Sequence, residues 1–239
     1  MRPPLILLVA LAALAATPLP AQPAGESCSA ATWYLAHRDP ERALRSLTGM
    51  SGGSAENLRG IAKLLAGDAN GALEEFDRAI AAEQDAPRLR LNRAVALIRL
   101  DRLAEAAAEL EALAAKEIPT DLLATVAYHR ALVADRAGDL EVAARWLDRA
   151  LKANPSSADA QLYAGVVLER LGRFQEAGRH YRDYLARDPG SIVAMLRFGI
   201  VAHRSGYRDV AARYLTDVVR RAPDSREAIE ARKFLILWE

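Results

Sequence analysis

The sequence contains a single cysteine, Cys28, among its 239 residues. A lone thiol cannot close a disulfide within the chain, so the fold cannot depend on one even in an oxidising compartment. The residues before it, Gly25, Glu26 and Ser27, separate it from the apolar N-terminal run and do not match the pattern of a lipid-modified cysteine. We therefore interpret Cys28 as an unmodified thiol, with lipid modification and pairing to another molecule as minor alternatives.

A surplus of either charge is also lacking. The chain has 32 Lys and Arg against 31 Asp and Glu, and removal of the segment that contains Arg2 makes the two counts equal. Proteins that bind nucleic acid or anionic membranes mainly through charge carry an excess of basic residues. The composition therefore argues against either as the main partner.

Residue patterns typical of catalysis or metal binding are missing. The four histidines are His37, His129, His180 and His203. They show neither the i, i+4 pairing of a zinc-binding helix nor a neighbouring cysteine, and the chain has no phosphate-binding loop or nucleophile elbow. We expect no enzymatic activity, no cofactor and no metal, and we expect His129 and His203 to make polar contacts. The adjacent acids Glu74 and Glu75 are predicted to be solvated on an outer helix face, paired with bases such as Arg78.

One short apolar run stands near the N-terminus, from Leu5 to Ala16. Its length is too small for a bilayer core, which needs about 20 residues, and a basic start and small residues flank it. This pattern predicts a secretory signal peptide over residues 1–21, followed by a linker over residues 22–26. We expect export across the inner membrane to the periplasm, without stable membrane insertion after cleavage. An uncleaved anchor, or an apolar terminus that arises by chance, is the alternative.

The main positive feature is a 34-residue period. It is marked by three sets of equally spaced residues, which are Gly138, Gly172 and Gly206; Ala143, Ala177 and Ala211; and Pro155, Pro189 and Pro223. A fixed period of this length indicates a repeat array in which each unit packs against its neighbours.

The composition between the turn residues is helical, rich in Ala, Leu, Arg and Glu and without strand-type alternation. The period predicts five full repeats, which cover residues 53–86, 87–123, 124–157, 158–191 and 192–225. The second has three extra residues around positions 116–119. A degenerate repeat is predicted over residues 27–52, and a single C-terminal helix over residues 226–239.

Each repeat has the pattern of two helices joined by a tight turn. The turn requires a left-handed residue, which glycine adopts freely and Asp tolerates. These turn residues are Gly67, Asp101, Gly138, Gly172 and Gly206. Small residues mark the close approach of the two helices: Gly60, Ala94, Ala131, Gly165 and Gly199 on the first, and Ala72, Ala106, Ala143, Ala177 and Ala211 on the second. Large groups fill the adjacent space: Phe76, Leu110, Leu147, Tyr181 and Leu215.

These features resemble the tetratricopeptide repeat family. The repeat over residues 158–191 shows the family pattern in Gly165, Gly172, Ala177, Tyr181 and Pro189. The resemblance covers residues 53–225 well and residues 27–52 weakly, because the early Trp of the family is absent from every repeat and Gln84 replaces the closing Pro of the first. It implies an all-α fold, a right-handed α-solenoid of helix-turn-helix repeats with a C-terminal capping helix.

In that family the first helices line a concave face whose variable positions contact protein or peptide ligands. The resemblance places three rows on this face. They are Asn57, Leu91, Tyr128, Leu162 and Leu196; Ile61, Val95, Leu132, Val166 and Ile200; and Arg99, Arg136, Arg170 and Arg204. The apolar rows either form an exposed binding strip or pack between adjacent helices. The arginines either bind carboxylates or complement the dipole at the helix ends.

The C-terminal helix carries apolar residues on more than one face. Its candidate association surface consists of Phe234, Leu235, Leu237 and Trp238, and simple capping of the last repeat is the alternative. Two functions follow from these features. The first is a non-catalytic scaffold or adaptor of the cell envelope that binds a polypeptide segment in the concave groove. The second is a structural subunit of an envelope complex, or a homo-oligomer, assembled through the C-terminal helix.

Overall fold

The computed structural model describes residues 27–83 and 86–236, and within these residues the chain is an all-α repeat solenoid with no strand. The predicted signal peptide and linker lie outside the described residues. The helices are α1 (Cys28–Ala36), α2 (Pro40–Ser46), α3 (Gly53–Ala66), α4 (Ala69–Glu83), α5 (Pro87–Arg99), α6 (Leu103–Ala114), α7 (Thr120–Arg136), α8 (Leu140–Ala153), α9 (Ala158–Arg170), α10 (Phe174–Leu185), α11 (Ile192–Arg204), α12 (Arg208–Arg221) and α13 (Arg226–Ile236). None of these helices is both long and apolar enough to cross a membrane.

The described residues divide into two compact units, one ending at Val133 and the other beginning at Ala134. We describe each unit by itself. We refer to α3, α5, α7, α9 and α11 as first helices and to α4, α6, α8, α10 and α12 as second helices, after their places in the predicted repeats. The repeat boundaries themselves remain a prediction.

Side-chain caps fix where several helices begin. Ser27, Ser157 and Ser191 each accept a hydrogen bond from the backbone N–H three residues later, at the starts of α1, α9 and α11. Such a cap satisfies one of the amide groups that a helix start leaves without an intrahelical partner. Pro40 and Pro87 open α2 and α5, where the fixed φ of proline suits the first turn.

The turns between first and second helices have the predicted left-handed residue. The backbone φ is 89° at Gly67, 88° at Gly138, 74° at Gly172 and 87° at Gly206. Asp101 occupies the equivalent place with φ of 60°, which confirms that it substitutes for glycine there.

The predicted close contact between small and large residues is also present. A Cβ added to Gly165 would lie 2.6 Å from the ring of Tyr181, and one added to Gly199 would lie 2.8 Å from Leu215. Tyr181 and Leu215 are fully buried. The helix pairs of these repeats therefore approach at a distance that excludes a side chain on the first helix.

In two repeats of the second unit, an arginine at the C-terminal end of the second helix donates a hydrogen bond to a backbone carbonyl in the loop before the first helix. Arg187 donates to the carbonyl of Pro155 at 3.1 Å, and Arg221 donates to the carbonyl of Pro189 at 3.2 Å. The two contacts are one repeat apart in sequence. They hold the loops that lead into α9 and α11, and so fix where these first helices start.

Candidate functional site

The predicted binding rows lie on the first helices, and we call the surface they belong to the first-helix face. In the first unit, Leu91, Val95 and Leu132 are buried and Tyr128 is half-buried. Asn92 donates to the side-chain oxygen of Asn57 at 2.8 Å, which joins α5 to α3. Most of the apolar side chains of these rows therefore offer little surface in this unit.

In the second unit the residues of these rows are buried to different extents. Leu196 and Ile200 are buried, whereas Leu162 and Val166 of α9 are half-buried. Val193, in the first turn of α11, keeps 47% of its surface exposed. The accessible apolar surface of the first-helix face in this unit thus comes from Leu162, Val166 and Val193, the last of which the sequence did not single out.

The four arginines of the third row, Arg99, Arg136, Arg170 and Arg204, are all exposed. Arg170 forms an ion pair with Asp135, which also accepts a hydrogen bond from the hydroxyl of Tyr163 at 2.6 Å. Arg204 lies over the ring of Phe174, with its guanidinium carbon 5.2 Å from the ring centre. It makes no ion pair with an acid among the described residues, so its donors are available to an incoming carboxylate.

A second polar group beside this row is organised around Glu169. The hydroxyl of Tyr181 donates to its carboxylate at 2.9 Å, and Arg197 donates to it at 3.2 Å. Burial raises the pKa of Tyr181, and the charge of Glu169 and its hydrogen bond raise it further. The phenol therefore stays protonated and acts as a donor that fixes the position of Glu169.

His129 does not make the polar contact that the sequence predicted. Its side chain is 2% exposed, and Nδ1 is buried without a hydrogen-bond partner among the described residues. Burial lowers the pKa of the imidazole to about 4, and the charge of Arg99 contributes to the shift. The ring is therefore neutral at pH 7 and belongs to the core. His203 packs edge-on against Phe234, with ring centres 6.4 Å apart.

The prediction that Glu75 is a solvated surface charge was wrong. The residue is 4% exposed, and its carboxylate accepts hydrogen bonds from Lys63 at 2.8 Å and Arg59 at 3.2 Å. Arg78 adds an ion pair at 2.7 Å. Sequence spacing showed the partner on the same helix but not the two on α3.

The two described residues of the predicted association surface are less exposed than other apolar side chains of α13. Phe234 and Leu235 are partly buried against the core of the second unit, and Leu237 and Trp238 lie outside the described residues. The large apolar side chains exposed on α13 are Ile229 and Ile236.

A cavity of about 190 Å³ lies in the second unit among α10, α11 and α12. Leu185, Pro189 and Met195 form part of its wall, together with the charged residues Arg213 and Asp217. Arg213 lies 5.4 Å from the ring centre of Tyr214. No group of three or more His, Cys, Asp or Glu residues suited to a metal ion occurs in the part of the chain that the structure describes.

Comparison with known families decides the class of the protein. The tetratricopeptide repeat model matches residues 57–121 and 128–192, together more than half of the chain. The chain belongs to the tetratricopeptide repeat family. No curated protein matches it significantly. Tetratricopeptide repeats are generally non-catalytic scaffolds that bind proteins or peptides.

Solved structures of tetratricopeptide repeat proteins share the fold. PilF of Pseudomonas aeruginosa is 19% identical, with a TM-score of 0.74, over 86% of this chain and 95% of that protein. PilW, a type IV pilus biogenesis factor, is 22% identical, with a TM-score of 0.73, over 86% and 94% of the two chains. YrrB, described as having an unusual peptide-binding site, is 22% identical, with a TM-score of 0.61, over 75% and 91%. At these identities the likeness concerns the fold alone.

Proposed function

We propose that this tetratricopeptide repeat protein is a non-catalytic scaffold that binds a polypeptide segment on its first-helix face. The observation that supports this most is the accessible apolar surface of Leu162, Val166 and Val193 in the second unit. One exposed valine on α11 and two half-buried aliphatic side chains on α9 suit the apolar side of a peptide or of an amphipathic helix.

The charges around this surface favour a ligand that is mostly apolar with an acidic end. Arg170 and Arg197 are already paired with Asp135 and Glu169, so they add little net positive charge. Arg204 keeps its donors available above Phe174. A ligand that places a carboxylate near Arg204 and aliphatic side chains along α9 and α11 would satisfy both features.

We further propose that the scaffold works in the cell envelope after export to the periplasm. Two observations support this. The N-terminal sequence has the pattern of a signal peptide, and a type IV pilus biogenesis factor, PilW, has a similar fold. Identification of the mature N-terminus by mass spectrometry tests the first step, and a chain that begins after Ala21 is the expected result. An intact N-terminus on the purified protein would contradict it.

Site-specific photo-crosslinking tests the binding surface. A photoreactive amino acid is placed at Val193, and at Arg182 of α10 as the control, because Arg182 is exposed on a second helix. We expect a discrete polypeptide adduct from position 193 and none, or far less, from position 182. Equal adducts at both positions, or an adduct at 182 alone, would place the binding surface elsewhere.

A further inference from the structure

The helix α13 leaves one side uncovered. Ile229, Arg232, Lys233 and Ile236 are all exposed, with 52% of Ile229 and 69% of Ile236 accessible. The buried residues Ala228 and Ala231 face the core of the second unit. Positions 229, 232, 233 and 236 share one face of a helix with 3.6 residues per turn, so two isoleucines flank two cations on that side.

The repeat period shows what covers the same side in a full repeat. One period earlier the equivalent residues of α11 are Met195, Phe198, Gly199 and Ala202. Two of these contact α12: Phe198 packs edge-on against Tyr214 with ring centres 4.8 Å apart, and Gly199 faces Leu215. The uncovered side of α13 is therefore the side that a second helix covers elsewhere, and no described residue takes that place.

The first unit shows twice how cations on this side are satisfied. Arg59 and Lys63 of α3 both bind the carboxylate of Glu75 on α4. Arg90 and Arg93 of α5 both approach Glu109 of α6, at 3.9 and 2.8 Å. In each case an acid at one position of the second helix is held by two cations of the first.

We infer that α13 receives an acidic amphipathic helix from a partner protein, which docks as the second helix of an additional repeat. Arg232 occupies the repeat position of Arg59 and Arg93, and it would bind an acidic residue of the docked helix as they bind Glu75 and Glu109. The neighbouring Lys233 adds a second positive charge on the same side. Ile229 and Ile236 would pack on the apolar side of the docked helix. Arg232 donates to the carbonyl of Pro223 at 2.9 Å, and neither cation has an acidic partner among the described residues. This inference does not depend on the function proposed for the first-helix face.

The docked helix needs a small residue opposite Lys233. The equivalent positions on the first helices hold only small residues, which are Gly60, Ala94, Ala131, Gly165 and Gly199. At the three glycines an added Cβ would clash with Phe76, Tyr181 and Leu215, respectively. Because α13 has a lysine there, a large side chain on the partner would have no space. The partner is thus distinguished from an ordinary second helix by an alanine or glycine at this point.

A second copy of α13 is a poor occupant. In a two-fold antiparallel contact through this side, the symmetry axis passes midway between Ile229 and Ile236. Arg232 and Lys233 of each copy would then face the same cations of the other, and like charges at close range are destabilising. The charge pattern therefore favours an acidic partner over self-association.

The test uses a synthetic peptide based on α4, with the sequence ANGALEEADRAIAAE, in which Phe76 is replaced by alanine. Titration of the peptide into the full protein is followed by methyl NMR of the isoleucine side chains. We expect saturable shifts at Ile229 and Ile236. The protein variant with Arg232→Glu and Lys233→Glu should bind at least about tenfold more weakly, as expected for the loss of charge-assisted hydrogen bonds.

A charge exchange provides the decisive control. A peptide in which the two adjacent glutamates, equivalent to Glu74 and Glu75, are replaced by lysine should bind the double-glutamate variant and not the wild-type protein, and circular dichroism confirms that the variant is folded. The inference is overturned if Ile229 and Ile236 do not shift, if the peptide shifts only other methyl groups, or if charge exchange does not restore binding. It is also overturned if these methyls shift with protein concentration alone, which would indicate self-association through α13.

Discussion

The side chains of Arg59 and Glu75 meet across a helix pair, with Nε of the arginine 3.2 Å from Oε2 of the glutamate. The same sequence separation of 16 residues joins Arg93 to Glu109. In the second unit the equivalent separation joins Phe198 and Tyr214, which form an edge-to-face aromatic pair. The contact between first and second helix thus occupies one place in the repeat, but its chemistry is ionic in the first unit and aromatic in the second.

Glu75→Gln should lower the free energy of unfolding by about 1–3 kcal/mol at pH 7, because three cations lose a nearly buried carboxylate. Glu74→Gln is the matched control, since Glu74 is exposed, and it should change stability by less than about 0.5 kcal/mol. Urea denaturation of both variants provides the measurement. Equal effects would show that the cluster around Glu75 does not stabilise the fold.

The same residue should make stability depend on acid pH. Burial of the Glu75 carboxylate raises its pKa, but hydrogen bonds from Lys63, Arg78 and Arg59 outweigh this and lower it from 4.5 to about 2. The stabilisation is therefore complete above pH 4.5 and is lost as the pH falls towards 2. Between these values the free energy of unfolding should fall less steeply for Glu75→Gln than for the wild type. Parallel curves would contradict the assignment.

His129 should make the free energy of unfolding depend on pH in a different range. Its pKa is lowered from 6.5 to about 4 by burial, so the unfolded chain binds a proton that the folded chain excludes. Stability should fall as the pH drops from 6.5 to 4, by about 3 kcal/mol from this group. His129→Leu should remove that part of the slope and leave stability at pH 7 nearly unchanged. An unaltered slope would mean that the imidazole is protonated in the fold.

Two glycines of one repeat should respond in opposite directions to alanine. Gly165→Ala should destabilise by about 1–3 kcal/mol, because the added Cβ would lie 2.6 Å from the fully buried ring of Tyr181. Gly178→Ala should stabilise by about 0.5–1 kcal/mol, because it removes a helix-interior glycine and the new Cβ meets its neighbours at 3.7 Å. Denaturation with guanidinium distinguishes them. A stabilising effect at Gly165 would refute the close helix approach.

The repeat period was sufficient to predict the fold because it depends on backbone and packing requirements that recur in every unit. The left-handed turns at Gly172 and Asp101 and the close contact of Gly165 with Tyr181 are requirements of this kind. Each follows from residue type and position alone, which is why the sequence predicted them.

How deeply each side chain is buried could not be predicted from the sequence in the same way. Leu196 and Leu162 occupy the same position in successive repeats, yet Leu196 is buried and Leu162 is half-buried. Depth depends on what neighbouring helices contribute, and spacing along the chain does not contain that information. For the same reason the partner of Arg170, which is Asp135 on another helix, could not be inferred from either residue alone.

The central claim is that the first-helix face of the second unit binds a polypeptide. Its most direct test is the affinity of the polypeptide captured at position 193 for two variants, Val193→Asp and Arg182→Asp. An aspartate in the first turn of α11 is compatible with the helix, so the fold should be retained. We expect Val193→Asp to weaken binding at least about tenfold and Arg182→Asp to leave it unchanged. Unchanged affinity with Val193→Asp, in a folded protein, would contradict the account.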